Sequence, residues 1–334
     1  MRGSIVSLPG PRHVPNFGDM QMSKPLLTGS FVALITPMNK DYSLDFGGFR
    51  TLIEFQKENG SSGVLFMGSS GEVSTLTTEE RHTIVHETMK QKHPGMEMWY
   101  GCTGATTEAT IEYVKQAQEE GADGAMIAAP SYICASNQDV VDFFLEVADS
   151  ASIPLGIYNN PPRVKTDLIA EEILKIAKHP NVQLLKESTG RVSQVAQIAG
   201  AQPEMSLMCC CSPNLGLIVP TMTLGGHGTA NMTGNIIPRE MAIISKPWEN
   251  FEDAQNFRTE YLRNLPMLHY AYSAINPVPM KSLLAALGLP AGPLRKPQKY
   301  LGGAALQHGL KAFQELGLAD IYGLSPINKL AAAE

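Results

Sequence analysis

A lysine stands at the end of an apolar run in the segment NVQLLKESTG, residues 181–190. Lysine is strongly hydrated and is rarely buried without a partner, so Lys186 needs a chemical explanation. In a tight, partly desolvated site an amine has a lowered pKa, and part of it is then neutral and nucleophilic. Such an amine attacks a ketone to give an imine, whose positive nitrogen stabilises a neighbouring carbanion. The residue type and its position therefore suggest Schiff-base chemistry at Lys186.

Hydroxyl, phenol and guanidinium groups follow other apolar runs of the chain. The segment GSSGE (68–72) follows one run, Tyr132 follows a second, and Tyr158 ends a third, with Arg163 shortly after it. Phenols and hydroxyls can carry the protons that move during imine formation, dehydration and carbon–carbon bond formation. An arginine can hold a substrate carboxylate in a two-point grip. This set of groups suits the chemistry inferred for the lysine.

Eight short, almost wholly apolar runs alternate with amphipathic segments. The runs lie at 31–36, 63–68, 96–101, 124–130, 153–159, 182–186, 205–210 and 226–232. Runs that are apolar throughout predict strands covered on both faces, and strand–helix alternation then predicts a parallel sheet. The segments between them carry helix caps and a 3.6-residue apolar period. No GxGxxG follows the first run, which disfavours a Rossmann fold.

We therefore predict an α/β fold, a (β/α)₈ TIM barrel with a C-terminal helical extension. The expected segments are a leader at 1–28, in part vector-derived, the barrel at 29–236, the last barrel helix with the extension at 237–328, and a vector-derived tail at 329–334. In such barrels the working face is formed by the C-terminal ends of the strands. The lysine, hydroxyls, phenols and guanidinium are thus expected to converge there.

Composition limits the partners and the compartment. Acidic residues outnumber basic ones by 32 to 26, and the isoelectric point of about 5.8 argues against a nucleic-acid or anionic-membrane surface. No apolar run approaches the roughly 18 residues of a membrane helix. The five cysteines, three of them adjacent at 209–211, form no disulfide or CxxC pattern. We expect a cytoplasmic protein in which the three adjacent cysteines are small buried hydrophobes, with no metal and no cofactor.

Several segments together resemble the dihydrodipicolinate synthase / N-acetylneuraminate lyase family. They are GSFVALITPM, GSSGEVSTLTTEER, IYNNPPR, LLKESTG, LGGHGTANMTGN and NPVPMKSLLAALGLPAGPLRKP, and the similarity runs from about Gly29 to about Leu318. The resemblance implies a class I aldolase-type lyase that uses pyruvate as its usual donor. It also implies a homotetramer built from tight dimers.

The resemblance assigns catalytic roles to particular residues. Lys186 is the expected imine-forming lysine, and Tyr158 is the proton-relay tyrosine beside it. Ser69 is expected to supply the relay hydroxyl. Tyr132 corresponds to the tyrosine that reaches into the site of a neighbouring subunit.

Substrate-binding roles follow in the same way. Ser70 is expected to help bind the keto-acid carboxylate, with Gly68 and Ala230 also at the substrate site. Arg163 resembles the arginine that binds the carboxylate of aspartate semialdehyde, which makes that aldehyde the preferred acceptor. The alternative is a related 2-keto acid aldolase or dehydratase, acting on a 2-keto-3-deoxy sugar acid, a sialic acid-type substrate or 4-hydroxy-2-oxoglutarate.

The chain departs from the family pattern at two places. Many synthases carry Gly-Asp-Asp after the seventh strand, where this chain has Cys-Cys-Ser-Pro-Asn at 210–214. Lysine-inhibited synthases have a second tyrosine where this chain has Ser131. We therefore expect no feedback inhibition by lysine.

Simpler interpretations remain open for several of these residues. Lys186 could form a salt bridge with Glu187, and the barrel could be a binding or scaffold protein without covalent chemistry. A metal-dependent hydrolase is a further possibility, but the spaced pair His82 and His86 is predicted to be solvated or packed. The GGHG segment at 225–228 is predicted to reflect close backbone packing rather than a phosphate loop.

Overall fold

The computed structural model describes residues 26–327. Eight parallel strands in this range form a closed barrel. Each strand pairs with its neighbours in sequence, and the first pairs with the last. The predicted TIM barrel is confirmed. Residues 1–25 of the predicted leader and the predicted tail at 329–334 lie outside the described residues. The strands are β1 Gly29–Ala33, β2 Gly63–Phe66, β3 Glu97–Gly101, β4 Gly124–Ala128, β5 Leu155–Asn159, β6 Val182–Glu187, β7 Ser206–Cys209 and β8 Gly228–Asn231.

Helices follow the strands, and further helices form the predicted C-terminal extension. Short 3₁₀ turns lie at Val73–Thr75 and Thr233–Asn235. No helix among residues 26–327 is long and apolar enough to cross a membrane. The α-helices of this part of the chain are α1 Phe46–Glu58, α2 Thr78–Met89, α3 Thr107–Glu119, α4 Asn137–Asp149, α5 Pro161–Val164, α6 Ala170–Ile176, α7 Val192–Ala201, α8 Ile218–Thr223, α9 Pro238–Ile244, α10 Phe251–Ala271, α11 Val278–Ala286, α12 Gly303–Glu315 and α13 Leu318–Tyr322.

The helix starts indicated by the sequence are confirmed at α2 and α3. Thr77 caps α2 by accepting a hydrogen bond from the backbone N–H of Glu80, whose carboxylate accepts one from the N–H of Thr77. Thr106 caps α3 by accepting a bond from the N–H of Ala109. These bonds satisfy donors that the first helical turn leaves without partners.

Apolar side chains fill the barrel interior below its C-terminal mouth. Trp99 is fully buried there, and a Cβ atom at Gly124 would lie 2.5 Å from its ring. Alternate residues of a strand face the same side, so Lys186 continues the inward row of Leu184 at the mouth. The interior residues are Phe31, Ala33, Leu65, Trp99, Met126, Leu184, Met208 and Ala230.

Strand limits differ from the predicted runs because burial extends beyond the hydrogen-bonded ladder. The run predicted at 31–36 forms a strand only from Gly29 to Ala33, although residues 34–36 are also buried. Hydrophobicity reports burial, whereas a strand ends where its pairing ends. At the other end of the barrel, a Cβ atom on Gly228 would lie 2.1 Å from the carbonyl oxygen of Gly29. The GGHG segment therefore reflects close backbone packing, as predicted.

Candidate active site

Lys186 lies on β6 at the mouth of the barrel, opposite Tyr158 in the register of β5 and β6. Its side chain is buried, with 6% of the residue exposed. Its Nζ atom is 4.5 Å from the centroid of the Tyr158 ring. An aromatic face attracts a cation, and an iminium nitrogen carries the same charge as an ammonium. The structure therefore brings together the two residues that the sequence placed at the centre of the site.

Glu187 points away from the barrel interior and does not pair with Lys186. Its fully buried carboxylate accepts bonds from the N–H of Thr189 at 2.8 Å, Asn159 Nδ2 at 3.3 Å and Gln194 Nε2 at 2.9 Å. Within residues 26–327, no ion pair joins Lys186 to any carboxylate. The salt bridge considered from the sequence is therefore wrong, because neighbouring strand residues face opposite sides.

The hydroxyl of Tyr158 accepts a hydrogen bond from Asn160 Nδ2 at 2.5 Å. Since the amide nitrogen only donates, the phenol keeps its own hydrogen for another partner. No hydrogen bond joins Tyr158 to Ser69 in the described part of the chain. Asn160 was not predicted as a site residue, because nothing in the sequence indicates its contact with the phenol.

The loop after β2 presents Ser69 and Ser70 together. Both hydroxyl oxygens accept hydrogen bonds from Asn276 Nδ2, at 3.1 Å and 3.0 Å. Ser70 is only 1% exposed. A Cβ atom on Gly68 would meet no atom within 4 Å, so open space lies beside this glycine. Asn276, which comes from the C-terminal extension, was not predicted to be a site residue.

Glu72, at the end of the same loop, is structural. It adopts a left-handed backbone with φ of 54°. Its carboxylate pairs with the buried Lys281 Nζ at 2.8 Å and accepts a bond from the N–H of Arg295 at 2.9 Å. Lys281 also donates to the carbonyl oxygens of Thr36 at 3.0 Å and Pro293 at 2.9 Å. Burial lowers the pKa of Lys281, and Glu72 opposes that shift.

Arg295 adds a second ion pair between the extension and this region. Its guanidinium contacts both carboxylate oxygens of Glu80 on α2, one of them at 2.6 Å, and donates to the carbonyl oxygen of Thr75 at 2.6 Å. The hydrogen bonds from Arg295 lower the pKa of the Glu80 carboxyl. The extension therefore holds the loop after β2 at several points.

Two predicted site residues lie apart from the lysine within this chain. Tyr132 is 97% exposed, on a loop where its backbone φ is 73°. Arg163 lies on the short helix α5 and is exposed, and its guanidinium has no hydrogen bond or ion pair among residues 26–327. The α5 turn itself was not predicted, since Pro161 and Pro162 resemble a loop.

The ends of β7 and β8 form the part of the mouth next to Lys186, because β7 pairs with β6 and β8 pairs with β7. Ala230 is 1% exposed within the interior cluster. Cys210 is 6% exposed; burial raises the pKa of its thiol, and the charge of Lys186 opposes this shift. The Sγ atom of Cys211 lies 3.2 Å from the hydroxyl oxygen of Tyr272, whose pKa is raised well above its usual value by burial. The three adjacent cysteines are buried, as predicted.

His82 and His86 have partners unrelated to the barrel mouth. The His86 Nδ1 atom lies 3.0 Å from a carboxylate oxygen of Glu120, and the ring of His82 meets Tyr113 edge-on at 5.9 Å. Their predicted packed or solvated state is confirmed.

Known proteins are similar to this chain in sequence and in fold. The dihydrodipicolinate synthetase family matches residues 26–311. A 4-hydroxy-tetrahydrodipicolinate synthase from Ralstonia nicotianae is 30% identical over 292 residues, covering 87% of this chain and 98% of the relative. One from Syntrophotalea carbinolica is 34% identical over 276 residues, covering 81% and 92%.

Solved structures of dihydrodipicolinate synthases have a similar fold. A dihydrodipicolinate synthase from Cyanidioschyzon merolae with lysine bound has a TM-score of 0.83 at 27% identity, covering 88% of this chain and 100% of that one. One from Acinetobacter baumannii complexed with pyruvate has a TM-score of 0.80 at 26% identity, covering 87% and 99%. The chain therefore belongs to the dihydrodipicolinate synthetase family, a family of pyruvate-dependent lyases.

Proposed function

We propose that this chain is a Schiff-base-forming lyase that condenses pyruvate with an aldehyde, with aspartate semialdehyde as the acceptor. The observation that carries the proposal is the buried amine of Lys186, which has no ion-pair partner among residues 26–327 and lies 4.5 Å from the centroid of the Tyr158 ring. A structural lysine at such depth has a carboxylate partner, as Lys281 has in Glu72. The two relatives described above are named 4-hydroxy-tetrahydrodipicolinate synthases, and these names support the same lyase activity.

The reaction begins with attack of the Lys186 nitrogen on C2 of pyruvate. The carbonyl oxygen takes a proton, and the resulting carbinolamine loses water to leave an imine. Loss of a C3 proton gives an enamine, whose C3 attacks the aldehyde carbon while the aldehyde oxygen takes a proton. Water, or an amino group of the acceptor, then attacks the imine carbon and frees the lysine.

Proton transfer falls to Tyr158, with Ser69 and Tyr132 as further members of the relay. Tyr158 suits this role because Asn160 occupies its oxygen as a donor and leaves the phenolic hydrogen available. Because Tyr132 projects into solvent with 97% of its surface exposed, its part in the relay requires a second subunit. We therefore propose a homotetramer of tight dimers in which Tyr132 enters the partner's site.

Substrate binding is assigned to groups around the mouth. Ser70 binds the pyruvate carboxylate beside the open space at Gly68, and Ala230 on β8 also contributes to the substrate site. Arg163 has a guanidinium without a protein partner among residues 26–327, which leaves it available for the acceptor carboxylate. Five free thiols agree with a reducing compartment, and we propose the cytoplasm.

Borohydride trapping with pyruvate, followed by peptide mass spectrometry, tests the proposal. We expect a pyruvate adduct on Lys186 and none in the variant Lys186→Arg. Lys281 is an internal control, since it is fully buried but already paired with Glu72. An adduct on Lys281, or on no lysine, would refute the assignment of Lys186.

The acceptor needs a separate measurement. The variant Arg163→Ala should raise KM for aspartate semialdehyde and leave pyruvate trapping unchanged. Cys210 stands at the mouth, in the segment 210–214 that departs from the Gly-Asp-Asp of many synthases, and this departure favours the second candidate, a 2-keto acid aldolase or dehydratase. Turnover of 2-keto-3-deoxy acids, with none of aspartate semialdehyde, would select that candidate.

A further inference from the structure

Asn276, just before α11, is the one residue outside the barrel strands and their loops that hydrogen-bonds both serines of the β2 loop within residues 26–327. Its Nδ2 atom lies 3.1 Å from Ser69 Oγ and 3.0 Å from Ser70 Oγ. It is separated from them by 207 and 206 residues of sequence. Its Oδ1 atom is buried and has no hydrogen-bond partner in this part of the chain, so the side chain is held from the serine side.

The chemistry of an amide determines the direction of these bonds. An amide nitrogen donates and never accepts, so both serine oxygens act as acceptors toward Asn276. Each serine hydroxyl therefore keeps its own hydrogen for a different partner. The Ser70 hydroxyl can then donate to a carboxylate oxygen, and the Ser69 hydroxyl can donate to the next member of a proton relay. A serine that donated its hydrogen to the protein instead would present only lone pairs, which repel a carboxylate.

We propose that Asn276 is a positioning residue that keeps the hydroxyl hydrogen of Ser70 free for the keto-acid carboxylate and that of Ser69 free for the proton relay. This inference rests on the proposed function, because it requires that the serines face a bound keto acid. Asn276 itself acts through the serines and is not assigned a contact with substrate.

The variant Asn276→Asp reverses the polarity at nearly constant size. A carboxylate only accepts, so both serine hydrogens turn toward residue 276 and away from the substrate. We expect KM for pyruvate to rise at least about tenfold at neutral pH, and the rate of borohydride-trapped imine formation to fall at subsaturating pyruvate. The defect should shrink as pH falls toward the ordinary aspartate pKa of about 3.9, because the protonated acid can donate one bond.

The variant Asn276→Leu separates this role from simple packing. It removes the donor without introducing an acceptor, so the serine hydrogens stay free and the defect should be smaller than that of Asn276→Asp at neutral pH. A merely structural role predicts the opposite order, since aspartate is closer in shape to asparagine. In a Ser70→Ala background the effect of Asn276→Asp on KM should also diminish, because one of the two groups through which Asn276 acts is gone.

Asn264 offers a matched control. It is a buried asparagine of α10, whose Nδ2 donates to the backbone carbonyl of Glu260 at 2.9 Å and to its carboxylate at 3.0 Å. The same change there, Asn264→Asp, should leave KM for pyruvate and its pH dependence unaltered. A smaller defect in Asn276→Asp than in Asn276→Leu, with normal trapping in the unaltered protein, would overturn this inference alone. No adduct in the unaltered protein would overturn the proposed function and this inference with it.

Discussion

Replacing Lys281 by methionine should destabilise the protein strongly, although this lysine lies outside the proposed chemistry. Its side chain is fully buried, and Nζ donates to the carboxylate of Glu72 and to the carbonyl oxygens of Thr36 and Pro293. Methionine has similar length and no charge. The change therefore keeps most of the volume and removes all three hydrogen bonds.

The size of the expected loss of stability depends on the Glu72 carboxylate, which stays buried after Lys281 is replaced. After the change, the Glu72 carboxylate keeps one described donor, the N–H of Arg295, and stays in a site from which water is excluded. Breaking a buried pair by removing one partner costs about 3–5 kcal/mol of the free energy of unfolding. Removing the charge of the other partner as well, in Lys281→Met with Glu72→Gln, should restore about 1–3 kcal/mol of that loss.

Urea denaturation at one fixed protein concentration measures both variants, since any oligomer adds to the apparent stability. Lys246→Met is the matched control, because Lys246 pairs with Asp253 while 57% of its side chain is exposed. A surface pair of this kind contributes about 0–1 kcal/mol. If Lys281→Met lost no more stability than Lys246→Met, the burial argument would be refuted.

Two further predictions concern the ion pair and the closure of the barrel. The hydrogen bonds from Arg295 lower the pKa of Glu80 below its ordinary 4.5, so their stabilisation is present above that pH and is lost as pH falls through the folded-state pKa. Glu80→Gln should thus be less stable than the parent at pH 7, with a smaller difference at pH 4 in urea titrations; an equal difference at both would contradict this. Gly228→Ala should cost about 2–4 kcal/mol in the same assay, because its Cβ would lie 2.1 Å from the Gly29 carbonyl oxygen. Gly216→Ala, with positive φ but open space around it, should cost about 1 kcal/mol, and equal losses would remove the steric explanation.

The barrel could be predicted from sequence because its signals are local. Strands covered on both faces appear as uninterrupted apolar runs, and the cap at Thr77 depends on a residue only three positions away. Lys186 stood out for the same reason, as a charged residue that ends such a run. The inward row of β6 then followed from the alternation of strand side chains.

The polar contacts between distant segments of the chain could not be predicted, because they leave no local signal in the sequence. The bonds from Asn276 to Ser69 and Ser70, and from Lys281 to Glu72, each join residues more than 200 positions apart. Nothing in either local sequence distinguishes these groups from exposed ones. The burial of the Glu187 side chain outside the barrel interior was also missed, because two of its three partners, Asn159 on β5 and Gln194 on α7, belong to other elements.

The hydrogen bonds from the C-terminal extension to the β2 loop can form only late in the synthesis of the chain. Synthesis proceeds from the N-terminus, so all eight strands leave the ribosome before Asn276, Lys281 and Arg295 do. A barrel closed at that stage would contain Lys186 and Tyr158 but would lack the groups that hold and orient the serine loop. If the proposed function holds, the ability to bind the keto acid would therefore be acquired last, when the final helices have been synthesised.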